Sequence, residues 1–143
     1  MSVFDPAGLA GLGVGAEVEF AAGLPGFPGA RRFRVEDLGE ALRPFARLRS
    51  VGEPEIGFTI VSPGLLFPDY TVEIDDEDQE SLGISNSEDV VLVTLITVPR
   101  PPQPPTANLL GPIVVNRRTG AAAQIVQHRS KYKVAERLPA AGA

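Results

Sequence analysis

The stretch "DVVLVTLITV", residues 89–98, decides the fold class, because nearly all of its residues are apolar or β-branched. Such a composition is typical of a central strand covered on both faces, since a strand with one wet face alternates apolar and polar residues. The run is far shorter than the roughly 20 residues that a membrane-spanning helix needs. It therefore predicts a globular β-domain built around one fully buried strand.

Shorter segments on either side of this run also have strand patterns. "EVEF" (17–20) alternates polar and apolar residues, as a half-buried strand does. The other predicted strands are 31–37, 44–51, 55–62, 70–74, 107–116 and 120–127. The 15 glycines and 14 prolines of the chain supply turns between them. The pattern predicts an all-β fold, either a compact antiparallel barrel or a sandwich.

Two connections between strands have recognisable chemistry. Asn116 and Gly120 flank "RRT", which suits a hairpin turn closed by a glycine in the left-handed region. "PRPPQPP" (99–105) could be a ligand for a peptide-binding domain or a linker, but strands flank it on both sides, so we interpret it as a stiff loop. Thr106 and Asn108 follow this loop, where their side-chain oxygens can bond to its backbone.

"DDEDQESLGI" (75–84) is the one segment with a clear helix pattern. Asp75 or Asp76 can cap its start, and Gly83 suits a left-handed residue at its end. The helix dipole favours negative charge in the first turn, and the acidic residues there are Asp76, Glu77 and Asp78. The segment lacks the glycine that a calcium-binding loop needs at its sixth position. It predicts one short acidic helix beside the β-structure.

A chain of 143 residues is long enough for one domain. We divide it into a Gly/Ala-rich N-terminal segment (1–15), a single β-domain (16–137) and a frayed tail (138–143). The first residues lack the basic region of a signal peptide and the chain has no cysteine, so we expect a cytoplasmic protein without a membrane partner. A net charge of −5 argues against direct binding to nucleic acid.

The residues supply no catalytic constellation. His128 is the only histidine, and without cysteine the chain has no thiolate nucleophile or zinc–thiolate site, so we predict no enzyme activity, no metal and no cofactor. If strands 31–37 and 44–51 pair, four arginines could form a basic strip on the outside, namely Arg32, Arg34, Arg47 and Arg49. That strip is either a solvated strand face or a docking surface for an acidic protein segment.

Several stretches, in order along the chain, resemble the flagellar assembly factor FliW family. The resemblance extends over roughly residues 14–134 and is most specific in the combination of "FPDY", "TANL…PIVVN" and "SKY". The matching stretches are "FAAGLPGF" (20–27), "PFARLRSV" (44–51), "FPDY" (67–70), "DEDQESLGI" (76–84), "DVVLVTLITVP" (89–99), "TANLLGPIVVN" (106–116) and "SKY" (130–132). The chain departs from the family in having "RPPQPP" where a short acidic loop is usual, and "KVAERLP" after "SKY".

The resemblance implies a small β-barrel-like regulator that binds proteins and is not an enzyme. Family members bind newly made flagellin and also CsrA, an RNA-binding repressor of flagellin translation, and binding to CsrA relieves the repression. The alternative class is a small β-barrel hydrolase or nucleic-acid-binding module with an unrecognised site.

Candidate partner-binding residues fall into four groups. The loop "FPDY" offers apolar bulk to an amphipathic flagellin helix, although two of its aromatic residues could instead belong to the core. The acidic helix offers charge to CsrA, unless its carboxylates only cap the helix. The candidates are Phe67, Pro68, Asp69 and Tyr70; Asp76, Glu77 and Asp78; Thr106 and Asn108, which could equally just fix their loop; and Ser130, Lys131 and Tyr132.

Overall fold

The computed structural model describes residues 1–3, 12–24 and 26–139, which form short strands and two short α-helices. The helices are α1 (Pro63–Leu66) and α2 (Asp76–Leu82), and single 3-10 turns span Glu40–Leu42 and Ser87–Asp89. The strands are β1 (Ser2–Val3), β2 (Glu17–Phe20), β3 (Arg32–Asp37), β4 (Ala46–Ser50), β5 (Gly57–Val61), β6 (Val72–Glu73), β7 (Val90–Thr97), β8 (Thr106–Ala107), β9 (Ile113–Asn116), β10 (Ala121–Gln124) and β11 (Glu136–Arg137).

Seven strands close into a barrel in the order β7-β5-β4-β3-β2-β10-β9 and back to β7. Closure depends on β7, which pairs with β5 through Thr94–Ile96 and with β9 through Val90–Val93. Neighbouring strands are antiparallel except β2 and β10, which run parallel. The all-β barrel prediction is confirmed, and the parallel pair is an addition to it. β8 and β11 extend the sheet from the far end of β7.

The side chains of β7 belong to two hydrophobic cores, one on each face of the strand. Val91 and Val93 point into the barrel, where they join apolar residues from all seven barrel strands. Leu92 and Ile96 point outward, into a second core that β1, β6, β8 and α2 cover. Both faces of β7 are therefore buried, as the composition of residues 89–98 predicts.

The inside of the barrel is filled by side chains. Phe20 and Phe33 pack edge to face with ring centroids 5.6 Å apart, and both are almost fully buried. The void left between the described residues there has a volume of about 10 Å³. A cavity of this volume has room for about one water molecule, so it is too small for a ligand. Any binding site of the described part of the chain must lie on the outside of the barrel.

The predicted acidic helix is present as α2. Asp75 is its N-cap, with Oδ1 accepting a hydrogen bond of 2.9 Å from the Asp78 backbone N–H. Gly83 ends the helix in the left-handed region, as predicted. The expectation of a single helix is wrong, because α1 occupies part of the predicted loop. Pro63 at its first position has its φ already fixed for a helix, which favours this turn.

Several connections differ from the sequence interpretation in detail. The predicted strand 107–116 is divided into β8 and β9. The proline-rich loop joins β7 to β8, as predicted. β1 pairs with β6 and its Val3 is buried, so residues 1–3 pack on the domain. β11 is formed by the segment after "SKY" in which the sequence departs from the FliW pattern.

Some sequence interpretations concern residues outside those described. They are the larger part of the Gly/Ala-rich segment (4–11), the turn residue Pro25 and the end of the tail (140–143).

The predicted hairpin turn between β9 and β10 is confirmed and depends on Gly120. Its φ is +83°, and its N–H donates a hydrogen bond of 2.8 Å to the Asn116 carbonyl oxygen. Its own carbonyl oxygen accepts one of 2.8 Å from the Glu19 N–H, which begins the parallel pairing with β2. A Cβ atom at this position would lie 2.8 Å from the Glu17 carbonyl oxygen. Only glycine therefore allows β2 to approach the turn.

We predict that Gly120→Ala lowers the free energy of unfolding by about 3 kcal/mol, because the new methyl group adds a backbone clash to the strain of a positive φ. Gly83→Ala is the matched control. Its φ is also positive at +67°, but its Cβ would have only an ordinary contact at 3.7 Å. It should cost about 1 kcal/mol. Urea denaturation of both variants measures the difference, and equal losses would contradict the close approach of β2.

Candidate functional site

Three motifs that are far apart in sequence meet at one buried junction. The Tyr70 hydroxyl donates a hydrogen bond of 2.6 Å to the Leu109 carbonyl oxygen. The Tyr70 and Tyr132 rings pack with centroids 4.6 Å apart. The Leu109 N–H donates a bond of 3.0 Å to the Lys133 carbonyl oxygen, and the Tyr132 hydroxyl accepts one of 3.2 Å from the Thr71 N–H. The motifs "FPDY", "TANL" and "SKY" therefore form one scaffold.

Tyr70 belongs to this scaffold and not to the surface. Its exposed fraction is 3%, and burial raises the pKa of its hydroxyl above the ordinary value. The structure thus places Tyr70 in the core, which is the alternative that its sequence leaves open. Phe67 is half-buried against the same core, whereas Pro68 and Asp69 are exposed. Leu65 in α1, which sequence reasoning missed, adds a side chain that is 62% exposed.

Asn108 fixes its own loop. Its Oδ1 accepts a hydrogen bond of 2.9 Å from the Gly111 N–H, and its carbonyl oxygen accepts one of 2.7 Å from the Thr94 hydroxyl. Its backbone N–H donates to the Leu95 carbonyl oxygen at 3.0 Å. Thr106 is half-buried in β8, opposite Thr97 of β7. Asn108 therefore has a structural role in its loop, and Thr106 lies in a paired strand.

The acidic turn of α2 both caps the helix and carries free charge. Asp75 provides the cap, whereas Asp76 and Glu77 are exposed. Asp78 is half-buried, and burial, followed by the charge of Asp75, raises its pKa. None of the five ion pairs between described residues includes a carboxylate of α2. This helix therefore presents uncompensated negative charge.

An open groove with a volume of about 1160 Å³ lies beside this helix. One wall, formed by β6 and the start of α2, carries the carboxylates of Glu73, Asp75 and Asp78. The other wall is the segment 124–132, which carries three basic side chains, namely His128, Arg129 and Lys131.

Gln127 joins the two walls. Its side-chain Oε1 accepts a hydrogen bond of 2.8 Å from the Glu73 N–H, and its Nε2 donates one of 3.1 Å to the Glu73 carbonyl oxygen. The residue is only 6% exposed. The Gln127 side-chain amide thus makes hydrogen bonds between β6 and the segment 124–132 that backbone groups would make between two paired strands.

The groove brings together only part of the predicted set. Four of the predicted residues line it, namely Asp78, Ser130, Lys131 and Tyr132. The "FPDY" loop, Thr106 and Asn108 do not line it. Sequence reasoning missed Gln127, because a lone glutamine carries no signal until the fold places it beside β6.

The groove shows no catalytic arrangement among its described residues. The Ser130 hydroxyl donates a hydrogen bond of 2.7 Å to the Gln127 carbonyl oxygen, so its proton is engaged within the turn. No group of three or more His, Cys, Asp or Glu residues in the described ranges could hold a metal ion. Among the same residues, no helix is long and apolar enough to cross a membrane.

The expected arginine strip is present, and carboxylates offset part of its charge. β3 and β4 do pair, with Arg34 opposite Arg49, as the sequence interpretation requires. However, Glu17 binds both Arg32 and Arg34, at 2.6 Å and 2.7 Å. Hydrogen bonds from Arg34 and Arg32 lower the pKa of Glu17. Glu36 binds Arg49 at 2.7 Å, so two carboxylates in register pair with three of the four arginines and offset about half of their charge.

A filled barrel, with its charged groove and loops on the outside, defines a small β-barrel protein whose cleft lies outside the barrel. A sequence model of the FliW protein family matches residues 13–138, and the chain belongs to this family. The flagellar assembly factor FliW of Bacillus licheniformis is 41% identical over 115 residues, which is 80% of each chain. That of Bacillus subtilis is 40% identical over 113 residues, or 79% of this chain and 78% of the relative.

The fold of the chain is also similar to that of a solved relative. The crystal structure of a flagellar assembly factor FliW aligns with a TM-score of 0.79 at 35% sequence identity. The alignment covers 87% of this chain and 87% of that chain. Sequence and structure therefore agree on the family.

We predict that Tyr70→Phe lowers the free energy of unfolding by about 1–3 kcal/mol, because the buried Leu109 carbonyl oxygen loses its donor. Tyr132→Phe is the control. It removes the acceptor of the Thr71 N–H, which is only partly buried, so water can replace it and the loss should stay below about 1 kcal/mol. Chemical denaturation measures both values. A Tyr70→Phe variant as stable as the wild type would contradict the scaffold role.

Proposed function

We propose that this chain binds flagellin and the translational repressor CsrA in the cytoplasm, and that binding to CsrA relieves repression of flagellin synthesis. The observation that supports the proposal is membership of the FliW family, with flagellar assembly factors 34–41% identical over most of the chain. In this scheme free flagellin occupies the protein and leaves CsrA active, and flagellin export releases the protein to bind CsrA. The direct test is binding of the purified chain to purified flagellin and purified CsrA.

Charge supports α2 as the side that meets CsrA. An RNA-binding protein has to present basic surface, and α2 carries exposed carboxylates without ion-pair partners. Complementary charge accelerates encounter more than it deepens affinity. Association with CsrA is therefore the salt-sensitive step, and dissociation depends on shorter-range contacts.

Exposed apolar side chains support α1 and the following loop as the side that meets flagellin. Leu65 is exposed, Phe67 is half-exposed and Pro68 is exposed beside them. An amphipathic helix of a partner buries its apolar face against such a surface. Tyr70 supports this loop from the core without contacting the partner.

The alternative class, a nucleic-acid-binding module, has less support from this molecule. Four arginines lie on the β3–β4 face, and Glu17 and Glu36 pair with three of them. Paired arginines do not provide the excess positive charge that phosphate binding requires.

We predict that neutralising Asp76, Glu77 and Asp78 to Asn or Gln slows association with CsrA several-fold at low salt. The difference should nearly vanish at about 0.5 M salt, where the Debye length is roughly 4 Å. Stopped-flow mixing at two salt concentrations measures the rates. Asp75 stays unchanged, so the N-cap of α2 is kept.

The control for this experiment changes net charge equally elsewhere. Glu40, Glu53 and Glu55 are exposed carboxylates outside the described ion pairs, and neutralising them should leave the association rate within about twofold. If both triple variants slow association alike, the effect belongs to net charge and α2 is not the contact. If wild type does not bind CsrA at all, the proposal for this partner fails.

We predict that Leu65→Ala weakens flagellin binding at least about tenfold, since it removes the most exposed apolar side chain beside the "FPDY" loop. The melting temperature should hardly change, because Leu65 is 62% exposed. Leu42→Ala is the matched control, a leucine 53% exposed on another short helical turn. Titration calorimetry with monomeric flagellin measures both, and equal affinities of the two variants would remove α1 from the site.

A further inference from the structure

The segment that follows β10 has a strand edge without a partner. The Ile125 N–H donates a hydrogen bond of 3.0 Å to the Pro112 carbonyl oxygen, and the Gln127 N–H donates one of 2.7 Å to that of Leu110. Successive peptide groups of an extended chain point to opposite sides. The N–H and C=O groups of Val126 and the N–H of His128 therefore point away from residues 110–112, toward the side on which β2 lies next to β10. His128 itself begins a turn, in which the Ser130 N–H donates a hydrogen bond to the Gln127 carbonyl oxygen.

β2 does not reach these peptide groups. It pairs with β10 only at Ala121 and Ala122, and then ends at Phe20. Within the described part of the chain, neither Val126 nor His128 has a backbone hydrogen-bond partner. Both residues line the groove described above. The groove thus contains the free N–H and C=O groups of Val126 and the free N–H of His128, at the point where the extended backbone passes into a turn.

The other wall of the groove cannot fill this edge. β6 uses one edge for β1, and its other edge is satisfied by side chains, with Gln127 on Glu73 and Tyr132 on Thr71. Because these side chains stand between the two backbones, the walls remain apart and leave an open volume of about 1160 Å³. The space is sufficient for an added chain, since a neighbouring strand lies about 4.8 Å away.

The charges in the groove restrict the chemistry of such an added chain. Glu73, Asp75 and Asp78 on one wall and Arg129 and Lys131 on the other form no ion pair within the described residues. A segment that compensates both walls carries a basic side chain for the carboxylates and an acidic one for the cations. Its backbone is extended, because the free groups are those of a strand edge.

We propose that the groove binds an extended segment of a partner protein, which adds a short β-strand to residues 124–127 by pairing with the N–H and C=O groups of Val126 and with the N–H of His128. The inference rests on the proposed function, in which the partner with basic surface beside α2 is CsrA. Attraction to α2 brings this partner to the rim of the groove, and the backbone pairing is the short-range contact that slows dissociation.

A proline substitution tests the backbone contact directly. Val126→Pro removes the free N–H and adds a ring on the exposed edge, whereas the bonds of Ile125 and Gln127 to residues 110–112 are kept. We expect the Kd for purified CsrA to rise at least about tenfold. Val126→Ala is the matched control, because it removes the side chain, which is 45% exposed, and keeps the N–H. Its Kd should stay within about threefold of the wild type.

Hydrogen exchange of the wild-type chain tests the same contact without a substitution. Its result therefore does not depend on whether a variant folds. With ¹⁵N labelling, the amides of Ile125 and Gln127 should be protected in the free chain, and those of Val126 and His128 should exchange rapidly. Saturation with CsrA should slow exchange at Val126 and His128 at least about tenfold.

The outcomes separate this inference from the proposed function. If wild type binds CsrA while Val126 and His128 stay unprotected, or while a folded Val126→Pro variant binds equally well, strand addition is overturned and the proposed function stands. If wild type does not bind CsrA, both fail. The edge could instead pair with a second copy of the chain, and light scattering of the free chain tests this alternative. A dimer that Val126→Pro converts to a monomer would assign the edge to a second copy and overturn the proposal.

Discussion

The burial of β7 on both faces is the constraint on which the rest of this structure depends. Its inward side chains, such as Val91 and Val93, fill a barrel that is closed by β5 on one edge and β9 on the other. Its outward side chains, such as Leu92, would face water in a simple barrel. Covering them requires a second layer, and β1, β6, α2 and β8 provide it. The outer layer consists of short elements whose hydrogen bonds are completed by side chains, and this is where a groove can form.

The buried junction of the outer layer explains why the residues that carry the family resemblance need not be the residues that contact a partner. Tyr70, Asn108 and Tyr132 carry the most specific part of the resemblance. Tyr70 and Tyr132 contact other loops, whereas the Asn108 side chain binds within its own loop. These contacts fix where the loops lie but leave little of the side chains for a partner. The exposed neighbours, Leu65 and Pro68 beside Tyr70 and Lys131 beside Tyr132, are then presented on a rigid support. A sequence motif can thus identify the family while the contacts lie next to it.

Features set by local physics could be predicted from the sequence, and features set by distant partners could not. The composition of residues 89–98 predicts β7, Asp75 and Gly83 predict both ends of α2, and Gly120 predicts its hairpin. The parallel pairing of β2 with β10 depends on which strand completes the barrel, which no local pattern specifies. The groove is likewise beyond the sequence, because Gln127 joins Glu73 across 54 positions. The arginine strip shows the same limit, since its partial neutralisation depends on Glu17 lying beside β3.

Ion pairing divides the surface of this acidic chain into two electrically different sides. On β2, β3 and β4 the carboxylates of Glu17 and Glu36 pair with three arginines, so about half of the positive charge of this face is offset within a few ångströms. On α2 and the adjoining wall of the groove, Asp76, Glu77 and Asp78 have no such partners, so their charges add. The chain therefore has a dipolar charge distribution in addition to its net charge of −5. A cationic partner that diffuses toward it is turned to meet α2 first, which is also the side where Val126 and His128 leave a strand edge open.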